Sequence, residues 1–531
     1  MLFNSFNFIF VFLPISISVF YFLLKFNNLK YCVLWLILCS LFFYGWWNLI
    51  YLILIISSVS FNYILSSYLI KKNKSFYLFF AIFINLLILF YYKYYNFFID
   101  NLNNLTGKEI IIYNIILPLG ISFFTFQQIA YLLDIYSGRI KKGSYLNYLL
   151  FVTFFPQLIA GPIVHYSKII PQFLNIKFEN LKDNFINGFI FFSLGLFKKV
   201  CIADKIGLYS DNLFDFSKYD ISLNLVETWV GVIAFTLQVY FDFSGYSDMA
   251  IGLGLFFGIV LPLNFYSPFK SKNISIFWRN WHITLSNFIR DYIYTPISVH
   301  AFRFSINSNF GSINFFILSI LLPIFFSYLL IGIWHGAGWN YILFGLLHAL
   351  FIIINILWVN FFKYINLYDK IKDNTFYSLF SGMLTFICVV VAFVLFRAEN
   401  LDVAANIYKS MFEINNFYMH NSVLTKLPSL RVYLINNNLI GELWIILIVK
   451  FTTLIYPILI LLPPLFIALY MPNTSELMQN ILPKNTYWLS NIKSSRINFS
   501  HKVTWAFFIG IIFSVSVLNL SQPSKFLYYN F

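Results

Sequence analysis

The sequence predicts an all-α, polytopic integral membrane protein, and three observations carry that reading. Of 531 residues, 60% are hydrophobic, 22% aromatic and only 10% charged, where a soluble domain carries about 25% charged residues. The apolar residues collect in runs near the roughly 20 residues that a helix needs to cross a bilayer core. Lysines mark alternate connections between those runs, which is the pattern of cytoplasmic loops. A chain this apolar cannot cover its surface with polar groups in water, so lipid must be its solvent.

Taken in order, the runs are 8–24, 31–44, 49–70, 76–98, 111–136, 148–163, 185–206, 226–263, 313–334, 341–361, 376–396, 443–470 and 503–520. They predict roughly 11 to 13 membrane helices, some of them not fully crossing. The first run has no basic leader and no small-residue cleavage site after it, so it reads as a spanning helix rather than a signal peptide. Run 31–44 is short and ends in Gly45-Trp46-Trp47, as a tilted or shallow helix does. Run 148–163 carries Pro156, Gly161 and Pro162, which predicts a re-entrant or broken helix. Run 226–263 is too long for one crossing, and its polar cluster from Asp242 to Asp248 reads as a helix break whose side chains act as caps.

Lys25 and Lys30 occupy the first connection; the second has no charge; the third holds Lys71, Lys72 and Lys74; the fourth holds Asp100, Lys108 and Glu109. The first and third connections are therefore expected in the cytoplasm and the N-terminus outside. Segments 397–442 and 471–502 are more polar and read as loops with short helices. The chain reads as a single membrane-embedded domain, residues 1–531, with N-terminal helices to about 110, a core over about 111–400 and C-terminal helices and loops over about 401–531.

The net charge of +15 does not point to nucleic acid, because the lysines sit in short clusters between apolar runs and no nucleic-acid-binding module is present. Cys32, Cys39, Cys201 and Cys388 lie in or beside apolar stretches with no paired spacing and read as small core residues. No histidine pair has metal-ligand spacing, so no metal is expected. A nucleophile elbow, a phosphate-binding loop and a dinucleotide fingerprint are all missing.

Polar groups inside a membrane are costly and require a reason. Besides the Asp242–Asp248 cluster, two deposits stand out. Phe277-Trp278-Arg279-Asn280-Trp281-His282 continues into a helical pattern in which Arg279, His282, Ser286 and Arg290 share a stripe roughly 80° wide, opposite Trp278, Trp281, Leu285, Phe288 and Tyr292. Such a helix either lies in the interface with its polar face in water or lines a cavity that receives an anionic substrate. Gly332 to Asn340 sets His335 among three glycines and two tryptophans between long apolar runs. Glycine allows close substrate approach, and a desolvated imidazole favours the neutral form that a general base requires. The competing reading of His335 is a core histidine hydrogen-bonded across helices. His348 reads as packing; His165, His300, His420 and His501 lie in loops or at helix ends without a supporting polar cluster.

These motifs, with others along nearly the whole chain, resemble the membrane-bound O-acyltransferase superfamily, in the bacterial branch that acetylates alginate, peptidoglycan and other exported polysaccharides. The resemblance rests on Met1-Leu2-Phe3-Asn4-Ser5, Phe43-Tyr44-Gly45-Trp46-Trp47-Asn48, the stretch from Leu117 to Gln127, and Ala160-Gly161-Pro162-Ile163. It continues through Asp242–Gly252, Phe277–His282, Arg290-Asp291-Tyr292, Ile333–Gly336, Phe396-Arg397-Ala398 and Phe526-Leu527-Tyr528-Tyr529. Departures occur after Pro296, where Ile297-Ser298 stand in place of a glycine pair, and at Ala349, where glycine is common.

The resemblance implies a catalytic histidine at His335, a second functional histidine at His282, and a ring of helices around a central pore open to both sides. It also implies an acyl thioester donor, most simply acetyl-CoA, no tightly bound cofactor, and a serine-esterase-like acetyltransferase partner outside the cytoplasmic (inner) membrane of a bacterium. Arg279, Arg290, Lys270 and Lys272 are the expected receivers of donor phosphates, and Trp334 and Asn340 are candidate substrate contacts. The rivals are a transporter or flippase, which broken helices around a polar centre also suit, D-alanyl or lipid acyl transfer by the same fold, and a scaffold that recruits an outer enzyme.

Overall fold

The computed structural model describes residues 1–26, 28–70, 74–113, 115–178, 181–218, 225–308, 311–413, 456–482, 486–495, 497–500, 502–520 and 527. Within them the chain is all-α. Eight helices are long and apolar enough to cross a membrane: Phe8–Lys25, Leu49–Tyr68, Ser75–Thr106, Leu181–Lys218, Leu225–Phe256, Ser312–His335, Trp339–Tyr364 and Thr375–Arg397. Shorter apolar helices cover Leu29–Gly45, Ile458–Tyr470 and Val503–Leu518. His420, His501, most of run 443–470 before Tyr456, and Phe526, Tyr528 and Tyr529 lie outside the described residues.

Leu225–Phe256 is the axis of the molecule: 67% of its apolar window is buried, against 17% for the peripheral Ser75–Thr106 helix. It packs at backbone contact against the helix that opens at Leu181. Gly188 faces Gly252 and Gly195 faces Gly245, and a Cβ at any of the four would stand 2.5–2.7 Å from the opposing carbonyl oxygen. Small residues at such crossings let two helices approach closely inside lipid.

The expected break at Asp242–Asp248 does not occur: the helix runs uninterrupted for 32 residues. Its carboxylates are neutralised from outside instead. A π-helical turn at Lys198–Ala203 swings two lysines inward, so that Lys199 reaches Asp242 at 2.6 Å and Lys198 reaches Asp248 at 2.6 Å. Thr474 adds a hydrogen bond to Asp248, and the Leu527 N–H donates to Asp242. With side chains so satisfied, the backbone has no need to open.

Run 111–136 is likewise corrected: helix begins only at Ile121, and the described residues of 107–120 lie outside any helix. Pro118 and left-handed Gly120 (φ 68°) set that start; a side chain at Gly120 would meet the Leu158 carbonyl at 2.7 Å. Run 148–163 is broken as its prolines predict, into Tyr145–Thr153 and Phe155–Leu158. Segments 397–442 and 471–502 hold the short helices Leu401–Phe412 and Thr474–Met478 among their described residues.

Candidate active site

The continuous amphipathic helix expected from 277 to 292 is interrupted at His282. Ile274–Asn280 and Ile283–Ile289 are separate helices, and His282 between them holds a left-handed backbone at φ 43°, a conformation that non-glycine residues seldom adopt. The break turns His282 off the arginine stripe and into the protein, where it is fully buried. Its Nδ1 lies 3.0 Å from Asn264 Oδ1. That oxygen also receives the Thr284 backbone N–H and hydroxyl, at 3.3 and 2.9 Å, so it is an acceptor and His282 Nδ1 carries the proton. Nε2 is then the basic nitrogen of the ring. Burial of the ring away from water disfavours its charged form.

His335 is the last residue of the Ser312–His335 helix and is 3% exposed. Its ring is held edge-on by Trp334, Phe396 and Phe344, at centroid separations of 4.9, 5.0 and 5.7 Å. The helix turns back into Trp339–Tyr364 at backbone contact: a Cβ on Gly332 would stand 2.4 Å from the Tyr341 carbonyl. The terminal carbonyls of a helix lack intrahelical partners; here Tyr94 donates to Ile333 O at 2.8 Å and Lys93 to Trp334 O. Both come from a π-helical turn, Phe90–Tyr94. His335 lies within electrostatic reach of His282, Lys93 and His348. Trp334 stands between the two histidines, its ring 5.8 Å from His282 and 4.9 Å from His335.

Two cavities approach this centre. One, of about 50 Å³, is lined by His335, Trp334, Lys93, Ser122 and Trp47. The other, of about 530 Å³, is lined by Arg279, Arg290, Lys168, His165, Asp291 and Thr284. Thr284 and its partner Asn264 connect the second cavity to His282. The cavities lie toward opposite ends of Leu49–Tyr68, a helix of 20 residues and so about 30 Å long. Trp47 precedes its start, and Tyr51 near that end bonds Ile116 O. At the other end Tyr63 bonds Gly143 O and Ser67 meets Lys142. Close behind them in the chain, Arg139 pairs with Asp134, which accepts from Tyr292 beside His165.

The expected site residues thus sort unequally. Arg279 and Arg290 share the large cavity, whereas Lys270 is drawn away to Met471 O at 2.6 Å and Lys272 is exposed outside it. The Asn340 amide donates to Leu395 O and Ala398 O and closes the end of the Thr375–Arg397 helix. His348 is packing with a bond, its Nδ1 accepting from Trp278 Nε1 at 3.2 Å. Sequence reading left His165 without a polar cluster, and its partners Tyr292 and Asp134 are far away in the chain. Lys93 was missed because a single lysine sits inside the aromatic stretch Tyr91 to Tyr95; the signal available was a charge within a spanning run.

The sequence pattern of the membrane-bound O-acyltransferase family matches residues 132–396, which includes both histidines. The chain is 34% identical over 563 residues to the peptidoglycan O-acetyltransferase of Helicobacter pylori, covering 100% of this chain and 98% of that protein. It is 34% identical over 443 residues to a probable alginate O-acetylase of Pseudomonas aeruginosa, covering 81% of this chain and 79% of the other. A teichoic acid D-alanyltransferase of Bacillus subtilis matches at 30% over 294 residues, 54% of this chain and 70% of the other.

Proposed function

The chain belongs to the membrane-bound O-acyltransferase family, and on that footing we propose that it passes an acetyl group from a cytoplasmic thioester, acetyl-CoA in the simplest case, to a hydroxyl acceptor outside. The observation that carries the proposal is a pair of cavities toward opposite ends of the Leu49–Tyr68 helix, one lined by His335 and the other tied to His282 through Thr284 and Asn264. Acetyl rather than D-alanyl transfer is favoured because the peptidoglycan O-acetyltransferase of Helicobacter pylori matches over the full chain and the D-alanyltransferase over about half.

Sidedness follows from charge. The connection after Tyr68 carries Lys71, Lys72 and Lys74, and the one after Tyr136 carries Arg139, Lys141 and Lys142. The helix end at Tyr68 and the connection after Tyr136 stand at the large-cavity end, and cytoplasmic loops are the ones rich in lysine and arginine. The large cavity then opens to the cytoplasm of a bacterial cell, with the N-terminus and the His335 cavity outside. Arg279, Arg290 and Lys168 meet the donor's phosphates in charge-assisted hydrogen bonds.

In the transfer, the acceptor oxygen bonds to the thioester carbonyl carbon while His335 takes its proton. The carbon–sulfur bond then breaks, and the sulfur leaves on the cytoplasmic side with that proton. Neutral His282, held by Asn264, orients the reacting groups. Positioned acid–base catalysis of this kind contributes roughly 10²–10⁴-fold, and alignment of the two substrates adds to it. The outer cavity, at about 50 Å³, fits an acyl group or a single hydroxyl side chain but not a glycan strand. An extracytoplasmic partner of the serine-esterase type therefore carries the acetyl group on to the polymer.

Mass analysis of peptidoglycan and exported polysaccharide, with and without the gene, tests the reading. Acetyl ester missing from one of them in the deletion and restored by the gene is expected; identical acetylation in both strains overturns it.

A further inference from the structure

The lysine at the end of the His335 helix has more donors than the helix end uses. A charge within a spanning segment costs about 3 kcal/mol in insertion measurements, and a helix C-terminus is more cheaply closed by glycine or water. Lys93 Nζ has three N–H groups. One is firmly held by Trp334 O. Among the described residues the other two reach His335 O at 3.4 Å and Ser122 Oγ at 3.5 Å, beyond the range of good hydrogen bonds, with the Tyr94 and Trp334 rings 5.9 Å away. Lys93, Ser122 and His335 line the same small cavity.

We propose that Lys93 supplies the positive charge that stabilises the acyl carbonyl oxygen as transfer proceeds at His335. The proposal rests on the reading of His335 as the base. As the acceptor oxygen adds to the carbonyl carbon and its proton passes to His335, the π-electron pair moves onto the carbonyl oxygen. That oxygen becomes an alkoxide facing the ammonium, and the two weakly held N–H groups turn onto it. Collapse restores the carbonyl, breaks the carbon–sulfur bond and returns the proton to sulfur; Lys93 gives up no proton. A fixed cation aimed at developing charge acts most strongly where water is excluded.

The experiment uses the full chain in native membranes, with labelled acetyl-CoA and transfer measured against donor concentration per folded molecule. Lys93→Met is expected to lower kcat on the order of 10²-fold with KM nearly unchanged, as loss of one oxyanion donor does. Lys93→Arg should recover about 10-fold of that loss by keeping the charge. Tyr94→Phe removes the clamp on Ile333 O without touching charge, and should cost less than about 5-fold, in keeping with one neutral hydrogen bond. Lys93→Met with near-normal kcat, Lys93→Arg no better than Lys93→Met, or Tyr94→Phe as damaging as Lys93→Met each overturns the proposal. Should Lys93→Met fail to fold, Lys93→Ala is assayed with added methylammonium: rescue supports the proposal and none overturns it. His335→Ala separates the two readings. Transfer surviving in His335→Ala overturns the reading of His335 as the base, on which the proposal rests, whereas transfer lost there and kept in Lys93→Met overturns only the role of the lysine.

Discussion

Asn264 Oδ1 lies 3.0 Å from His282 Nδ1 and fixes which nitrogen of that buried ring bears the proton. Because the same oxygen holds both polar groups of Thr284, it is locked in place and cannot serve as a donor. Nε2 is thereby kept as the lone-pair nitrogen next to Trp334 and His335. Asn264→Leu should lower acetyl transfer on the order of 10²-fold or more while leaving the helices intact, since a wrong tautomer disables an otherwise placed imidazole. Initial rates with labelled acetyl-CoA check it; a rate within a factor of two of the wild type would remove Asn264 from the mechanism.

The large cavity makes a prediction about donor affinity. Replacing Arg279 and Arg290 together by Ala should raise KM for acetyl-CoA by about 10-fold or more, given about 1.5–3 kcal/mol for a hydrogen bond to a charged group. kcat should stay the same, the sign of uniform binding lost. Lys270→Ala and Lys272→Ala should leave KM within about a factor of two, because neither residue lines the cavity. Steady-state kinetics on the three variants decides it.

Much of the frame, but less of the centre, was legible in the sequence. Runs such as 376–396 announce themselves because a lipid-crossing helix must be apolar over its whole length. Segment 111–120 is just as apolar, yet its described residues are not helical, and Pro118 and Gly120 mark the difference. Asp242 and Asp248 were misread because the lysines that pair with them belong to another helix, and no local pattern reports a partner across a helix crossing. The stripe through Arg279, His282 and Arg290 assumed an unbroken helix, so it could not show His282 turned inward. Glycines and tryptophans single out His335 locally, but its expected role rests on the family resemblance; the contacts of Lys93 and Asn264 form only on folding.

The Lys199 contacts predict a stability effect that the fold alone explains. Lys199 bridges Asp242 at 2.6 Å and Asp204 at 2.7 Å, and Asp242 is 1% exposed. Lys199→Met strands a buried carboxylate and should destabilise the protein by about 3–5 kcal/mol. Adding Asp242→Leu to Lys199→Met should restore much of that loss, as neighbouring groups in one pair are not additive. Thermal unfolding in detergent of the two single variants and the double variant measures the coupling.

Helix contact at Gly252 is a separate test of the core. Its absent side chain lets the Gly188 carbonyl approach to 2.5 Å of where a Cβ would be, so Gly252→Val must push two central helices apart. Overpacking of a tight core costs about 1–3 kcal/mol and sometimes more, and the amount of monodisperse protein should fall accordingly. Gly510→Val, with no atom within 4 Å of its added Cβ, should leave that amount unchanged.

The most direct measurement is the acetate content of envelope polymers in cells whose only copy is His335→Ala, set against wild-type protein present in equal folded amount. With His335 as the base, acetate is expected to fall to the level of the gene deletion. Acetylation that persists at the wild-type level would contradict the account.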